Sequence, residues 1–441
     1  MIKTIKNAFK SPEIRKKMLF TLLLLVLFRL GCYITIPRVN LVNLGETMSS
    51  YQNSVTSMIN MISGGAFSRV SLFAMSITPY ITASIIVQLL AMIVPSLKRL
   101  TKEGGEQARK KVDLITKLIS LVLASVEALG IYFSYRYSGI FVDDGVLTAF
   151  VVVLSLTAGS CLLMWLGDKI TSKGIGNGIS MLIFAGIVSS VPSALASVAG
   201  RVTEDGSFST KGLITAILLV LGTIVLVVSV IYVQLAERRI PVQYSKKVVG
   251  RRMVGAQNTH IPIKPAMASV MPIIFASSFL TFPAMLIQII NSNIENTPGF
   301  WRVIYNFSIA TSSTTPGWQY TILNAIVYLL LIVGFTFFYT YATFNPAEVA
   351  NTIKQNGGFI PGIRAGKPTA DYLSSVLSKV VLFGGLFLAV VAIIPMFARV
   401  SGFNTAFAGS SILIVVGVAI EFSQQLQSLL VMKHYKGFLE K

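Results

Sequence analysis

Away from the ends of the long apolar stretches of this chain stand Arg29, Glu127 near the middle of one stretch, and Glu421 in the last. Paired carboxylates at membrane depth could serve an intramembrane protease, and carboxylates with histidines could hold a metal or relay protons. The pattern supports neither. The two histidines, His260 and His434, lie outside the apolar stretches, and there is no HExxH, Walker-type loop or Cys/His cluster. Glu127 and Glu421 are too scattered for a catalytic pair. Glu127 reads as packed between helices. Glu421, with Gln424, Gln425 and Gln427, reads as facing helices or a membrane rim. Arg29 calls for an acid or a carbonyl. Cys32 and Cys161 also fall in apolar stretches, which makes neither a disulfide framework nor a metal site. Enzyme chemistry and a resident cofactor are therefore not expected. An ion-coupled carrier normally shows more ionisable groups at this depth. What remains is a pathway lined by apolar and small polar residues.

The elements that would position such a pathway are ten apolar stretches, at 18–36, 71–94, 114–135, 147–166, 179–198, 212–235, 267–290, 320–342, 376–397 and 410–431. Each is close to the ~20 residues a helix needs to cross hydrocarbon. Hydrophobic residues make up 54% of the chain and charged residues 12%. A soluble domain carries about 25% charged residues, so ten such helices could not be kept in water. Of the 37 Lys and Arg residues, 29 fall in or beside one alternate set of connections and 7 in the other. Cytoplasmic connections carry the basic excess, so both termini are expected in the cytoplasm. The first stretch follows basic residues as a signal peptide would. No small-residue cleavage site follows it, so it reads as a retained helix. The expected class is an all-α integral membrane protein. Five spans precede residue 200 and five follow, which permits two inverted halves, 1–200 and 201–441, with a pathway between them.

Two segments do not fit plain spans. Residues 55–67, VTSMINMISGGAF, are apolar but too short to cross, and Gly64-Gly65 breaks the helix before the second span. That is the pattern of a re-entrant segment covered by protein or lining a cavity, or of an interfacial helix. The other departure is a pair of basic connections, 236–266 and 343–375. The first carries Arg238, Arg239, Lys246, Lys247, Arg251, Arg252 and Lys264 against Glu237, with alternation that suits a projecting hairpin. In the second, Gly357-Gly358, Pro361-Gly362 and Gly366 brace a turn that displays Arg364 and Lys367. Topogenic charge needs only a few residues beside a span. Ordered loops of this length point to a macromolecular partner, RNA phosphates or an acidic protein surface, beside the plainer reading of topogenic charge with anionic lipid binding.

At these loops the sequence resembles the bacterial SecY family of protein-conducting channels. The likeness runs from VLFRLGCYITIP at 26–37 to the last helix. Its most specific stretches are SGGAFSRVSLFAMSITPYITASIIVQLL, LMWLGDKITSKGIGNGISMLIFAGIV, GRRMVGAQNTHIPIK and GGFIPGIRAGKPT. One departure stands out: Ser76 and Thr78 occupy positions where the family pattern has Gly and Met before Pro79-Tyr80-Ile81.

The resemblance implies a clam-shell of two five-helix halves hinged between the fifth and sixth spans, with a short re-entrant plug helix. The plug would be the 55–67 segment, with Ile59, Asn60, Met61, Ile62, Gly64 and Gly65. A pore ring would comprise Ile81, Ile85, Ile183, Ile187, Ile274 and Ile414. A lateral gate between the second and seventh spans would involve Gln88, Ser277, Ser278, Thr281 and Phe282. The basic residues Arg238, Arg239, Lys246, Lys247, Arg251, Arg252, Arg364 and Lys367 would meet the SecA ATPase or the ribosome. SecE would clamp the halves, SecG would bind peripherally, and preprotein signal sequences and membrane lipids would be the channel's other contacts. The location implied is the bacterial plasma membrane. A different class, an inverted-repeat secondary transporter for small solutes, fits the span pattern, as does a structural assembly factor.

Overall fold

The structure, a computed structural model, describes residues 2–40, 60, 63–94, 97, 100, 105–136, 139–143, 145–200, 202–204, 207–208, 210–244, 247–249, 252–254, 258–265, 267, 270–290, 299–309, 318–400 and 409–439. In chain order the first helices are α1 (Ile2–Lys10), α2 (Pro12–Gly31), α3 (Thr78–Ile93), α4 (Gly105–Tyr135), α5 (Val146–Lys173), α6 (Gly178–Ser189) and α7 (Val191–Gly200). A two-residue ribbon, β1 (Thr203–Glu204) with β2 (Ser207–Phe208), precedes α8 (Thr210–Leu235). Strands β3 (Arg238–Tyr244), β4 (Lys247–Val249), β5 (Arg252–Val254) and β6 (Asn258–Ile263) follow. The chain then runs through α9 (Met271–Ile290), α10 (Gly299–Ile309), α11 (Trp318–Thr343), α12 (Pro346–Gln355), β7 (Gly358–Phe359), α13 (Lys367–Val400) and α14 (Gly409–Leu439).

Each of the ten expected apolar stretches overlaps a helix. Among the described residues, seven helical runs are long and apolar enough to cross a membrane: 110–133, 146–173, 178–200, 212–235, 318–355, 367–397 and 411–432. Two further apolar helices, Thr78–Ala91 and Met271–Ala284, are shorter. The helix α2 adds 20 residues that end beside Arg29. The molecule is a multi-pass membrane protein. Local chemistry sets the helix ends. Asn177 caps α6 by accepting from the Ile179 N–H at 3.2 Å, the bond an N-cap side chain makes to an orphan donor. Pro192 has no N–H to give, and it follows the break at Ser190 that divides α6 from α7.

The described chain clusters into two compact units. The first comprises Met1–Ala216, Ser278–Asn324 and Val418–Lys441. Its main core joins Ala124, Ala128 and Tyr132 of α4 to Val152 and Leu156 of α5, with Phe67, Val70 and Met75 packed in from the segment before α3. Small residues let backbones touch, the usual device where apolar side chains gain nothing by leaving lipid. A Cβ on Gly159 of α5 would lie 1.8 Å from the Leu72 carbonyl oxygen, and one on Gly178 would lie 1.9 Å from that of Gly167. A smaller cluster of Ala8, Ile14, Ile175 and Leu426 ties α1 and α2 to the α5–α6 turn and α14.

The second unit comprises Ile217–Ser277 and Ala325–Gly417. Its non-membrane part is a three-stranded antiparallel sheet ordered β6-β3-β7. Strand β3 alternates as its sequence does, with Ile240 and Val242 buried. Those two pack with Ile263, with Ala350 and Ile353 of α12, and with Leu373, Leu377 and Val381 of α13. A hairpin by itself is marginal in water, and the two helices supply the second layer it needs.

The Gly159 crossing yields a direct test. Gly159→Ala should destabilise the protein by about 1–3 kcal/mol, the range for overpacking a tight site. Gly222→Ala, where a Cβ meets nothing within 4 Å, should leave stability unchanged or slightly raised. Thermal unfolding of both variants in one detergent checks the pair.

Candidate functional site

Between Cys32 and α3 the chain does something no span can do alone. Residues 63–77 form a succession of turns where the sequence pattern predicts helix from residue 71. Four of them take positive φ: Gly64 (66°), Gly65 (85°), Val70 (44°) and Ser76 (54°). Non-helical backbone is tolerated at membrane depth only where protein or a cavity satisfies it, and here the bonds can be named. Asn60 accepts three, from the Gly65 N–H (2.8 Å) and the Ser63 hydroxyl (3.1 Å) to its carbonyl, and from the Ser68 N–H to Oδ1 (2.9 Å). The Ser63 hydroxyl accepts from the Phe67 N–H at 3.2 Å. Val70, Ser71, Ala74 and Ser76 donate to Phe67, Ala66, Ser71 and Phe73. The segment also pairs with the chain after α2. Leu72 N–H donates to the Ile34 carbonyl at 2.8 Å, and Ile36 N–H to that of Val70 at 3.1 Å.

Arg29 is answered here. Its Nη1 donates to the Gly64 carbonyl, and Nη2 lies 3.4 Å from the Tyr33 hydroxyl. The Tyr33 ring meets two guanidinium groups, with Arg29 Cζ 5.1 Å and Arg69 Cζ 4.2 Å from its centroid. Each such contact is worth about 0.5–2 kcal/mol, which offsets part of the repulsion between the two cations. The Gly64 turn rests on α6. A Cβ there would lie 2.6 Å from Ser189 Oγ and 3.2 Å from Gly186 Cα. Gly186 directly precedes Ile187, so the turn sits at the end of the helix carrying Ile183 and Ile187.

Of the residues assigned to the plug by resemblance, Asn60, Gly64 and Gly65 belong to this bonded segment, while Ile59, Met61 and Ile62 lie outside the described residues. Of those assigned to the ring, Ile81 and Ile85 are half-buried one turn apart on α3, and Ile183 and Ile187 are buried one turn apart on α6. Ile274 of α9 and Ile414 of α14 belong to the second unit. The gate residues bond within their own helices: Gln88 Nε2 to Ser84 Oγ at 3.1 Å, Ser277 Oγ to the Ile274 carbonyl at 2.9 Å, and Thr281 Oγ1 to the Ser278 carbonyl at 3.2 Å. Phe282 is exposed.

In the second unit the two basic connections form one structure. Strands β3 and β6 pair from Arg238↔Ile263 to Gln243↔Asn258. β7, from the other connection, adds to the same strand at Gln243↔Phe359 and Tyr244↔Gly358. Strands β4 and β5 pair with each other as a separate two-stranded ribbon and carry Lys247 and Arg252. Lys246 and Arg251 lie outside the described residues. Arg238 and Arg239 are exposed, and Arg239 pairs with Glu237 at 2.6 Å. That bond holds the Glu237 carboxyl below the ordinary carboxylate range. Arg364 is exposed, and its carbonyl accepts from the buried Thr369 hydroxyl at 2.8 Å. Gly362 (φ 81°) and Gly366 (φ 105°) give the turn its shape. Lys367 is the first residue of α13 and not part of the turn.

The sequence reading missed the helix α12 in this connection. Its signal was present: Asn345 caps it by accepting from Ala347 N–H, Pro346 opens it, and Glu348 stands three residues after the cap.

Comparison with known proteins agrees with this geometry. A family model described as SecY matches residues 71–423. The protein translocase subunit SecY of Streptomyces coelicolor is 41% identical over 455 residues, spanning 100% of each chain. Among solved structures, one described as a protein conducting channel matches with a TM-score of 0.68 at 21% identity, over 93% of this chain and 91% of that one. Sec61 in the canine ribosome-channel complex from the endoplasmic reticulum matches with a TM-score of 0.61 at 20% identity, over 93% and 91%.

Ser76 gives the test of this site. It is buried, it holds a left-handed conformation, and a residue with a Cβ loses about 1–2 kcal/mol there. Ser76→Gly should recover roughly that amount, and Ser76→Val should lose more stability than it does at an ordinary turn. Thermal midpoints of the purified variants report both.

Proposed function

This chain belongs to the SecY family, and from that premise we propose how its particular residues run the channel. The protein is a translocase subunit that forms the protein-conducting path for unfolded preproteins and releases apolar helices sideways. The observation that carries this is the match to SecY along the whole chain. The solute-carrier reading is not favoured, since a carrier has no use for a sheet built from two basic connections.

In our reading the chain divides at about residue 200 into two halves that open like a shell in a bacterial plasma membrane, with both termini in the cytoplasm. The distribution of basic residues supports that orientation. Residues 55–67 and the turns after them act as the plug. The bonds of Gly64 and Asn60 support this, because they are single contacts and not a helical ladder, and a passing chain can exchange them. The charge-assisted Arg29–Gly64 bond is the strongest, of order 1.5–3 kcal/mol. Ile81, Ile85, Ile183, Ile187, Ile274 and Ile414 form the ring. Isoleucine is stiff at χ1, so six of them make a narrow apolar gasket that yields by helix movement. Gln88, Ser277, Ser278, Thr281 and Phe282 line the lateral gate. The bonds of Gln88, Ser277 and Thr281 described above stay within their own helices, so parting the helices does not break them.

The channel subunit carries no catalytic residues, and the energy for transport comes from a bound SecA motor, from translation or from the proton-motive force. The basic sheet is the docking platform for SecA and the ribosome, with Arg251, Arg252 and Arg364 foremost. Its two-connection construction supports that role, since a load applied at the tip is carried into α12 and α13. SecE clamps the halves and SecG binds at the periphery.

The deciding experiment traps a secretory chain in transit. With photoreactive residues at Asn60, Ile85 and Ile187 in turn, an arrested preprotein should crosslink at all three. A protein that crosslinks at none, or that instead shows saturable uptake of a small solute, is not this channel.

A further inference from the structure

Lys117 of α4 lies between two carboxylates. Its Nζ is 2.6 Å from Asp113 Oδ2, one turn earlier on α4, and 2.6 Å from Asp168 Oδ2 near the end of α5. One ammonium between two carboxylates leaves an excess negative charge. The triad walls a cavity of about 980 Å³ within the first unit, which also takes in Lys17, Trp165, Lys169 and Glu421. Neither Lys17 nor Lys169 has a carboxylate within ion-pair distance among the described residues. Lys169 Nζ instead lies 5.5 Å from the Trp165 ring centroid. The cavity therefore has a negative region, the triad with Glu421, and two lysines with no counter-ion among the described residues. Taken together its charges cancel.

The place matters as much as the charge. The Lys117–Asp168 contact joins the beginning of the span at 110–133 to the end of the span at 146–173, so the cavity sits at one membrane–water boundary. Trp165 is 53% exposed there, as the tryptophans of a membrane interface are. Toward the membrane interior on the same two helices, Leu118, Leu121 and Leu162 are exposed. A ligand here would meet separated charges at its head and apolar side chains beneath.

We propose that this cleft binds the headgroup of a zwitterionic aminophospholipid, of the phosphatidylethanolamine kind. The phosphate meets Lys169 and Lys17. The primary ammonium, with three donors, meets the open lone pairs of Asp168 and Glu421. The acyl chains run down the exposed leucines. A purely anionic headgroup would face three carboxylates with nothing to offer them. A choline headgroup carries the charge but has no N–H to donate. A lysine-rich peptide would leave Lys17 and Lys169 without a partner.

The test is native mass spectrometry of the full-length protein with its copurifying subunits, given equal amounts of phosphatidylethanolamine, phosphatidylcholine and phosphatidylglycerol. Phosphatidylethanolamine should be retained in preference to both others. Lys169→Gln, which breaks no ion pair, should weaken that retention about fivefold, roughly the worth of one basic residue at a lipid surface. Asp168→Asn should erase the preference over phosphatidylcholine. Equal retention of the three lipids would overturn the proposal. So would a preference for phosphatidylglycerol, displacement of the lipid by a lysine-rich peptide at lower concentration, or indifference to Lys169→Gln in a protein of unchanged thermal midpoint.

Discussion

A backbone amide in hydrocarbon has no water to fall back on, and the functional part of this protein is organised around that constraint. Helices meet it by themselves. Residues 63–77 cannot, and they borrow partners from Asn60, Ser63 and the chain at 34–36. Arg29 supplies the remaining donor, to the Gly64 carbonyl. The placement explains why an arginine is kept inside an apolar helix, where an unpaired guanidinium is costly. The same constraint makes the segment movable. Its bonds within 60–77 are single turns, and those to Arg29, Ile34 and Ile36 reach back to the first helix and the chain after it, so no continuous helical ladder holds it.

Outside the hydrocarbon the problem is reversed. The basic connections have water for every amide and would not be ordered by that need. They are ordered by burial instead. Ile240, Val242 and Ile263 make an apolar face too small to bury itself within the hairpin, and α12 and α13 cover it. Gly358 can join β3 because its missing side chain leaves room. A Cβ there would lie 2.8 Å from Tyr244 Cε1. The charges are thus carried on a platform with its own small core, continuous through α13 with the membrane part of its unit.

Much of this was legible in the residues. Hydropathy located every helix that carries the spans, because a bilayer enforces length and apolarity more strictly than a soluble core does. Alternation along the first basic connection announced a hairpin, of which β3 is one strand, and the need of Arg29 for an acid or carbonyl was visible from its position alone. Other features were not legible, for definite reasons. A two-residue strand such as β7 has no period to detect, and its partner Tyr244 is more than a hundred positions away. Asp113 and Lys117 are i,i+4 on one helix, but nothing local announces Asp168. Ser76 looked like an isolated departure from a family pattern. Only the backbone reveals that it holds a conformation glycine would hold without strain. The isoleucines carried no signal by themselves, since packing residues on any helix look the same.

The central claim is that residues 63–77 are held at rest by their own hydrogen bonds and are released by substrate. Hydrogen–deuterium exchange of the protein in lipid nanodiscs measures this amide by amide. The account predicts that Gly65, Phe67, Ser68, Val70 and Ser71 are protected in the idle channel and exchange rapidly once a preprotein is arrested in it, while the amides of α4 and α5 stay protected throughout. Rapid exchange of those five amides in the idle channel, or protection that persists with the substrate in place, would contradict it.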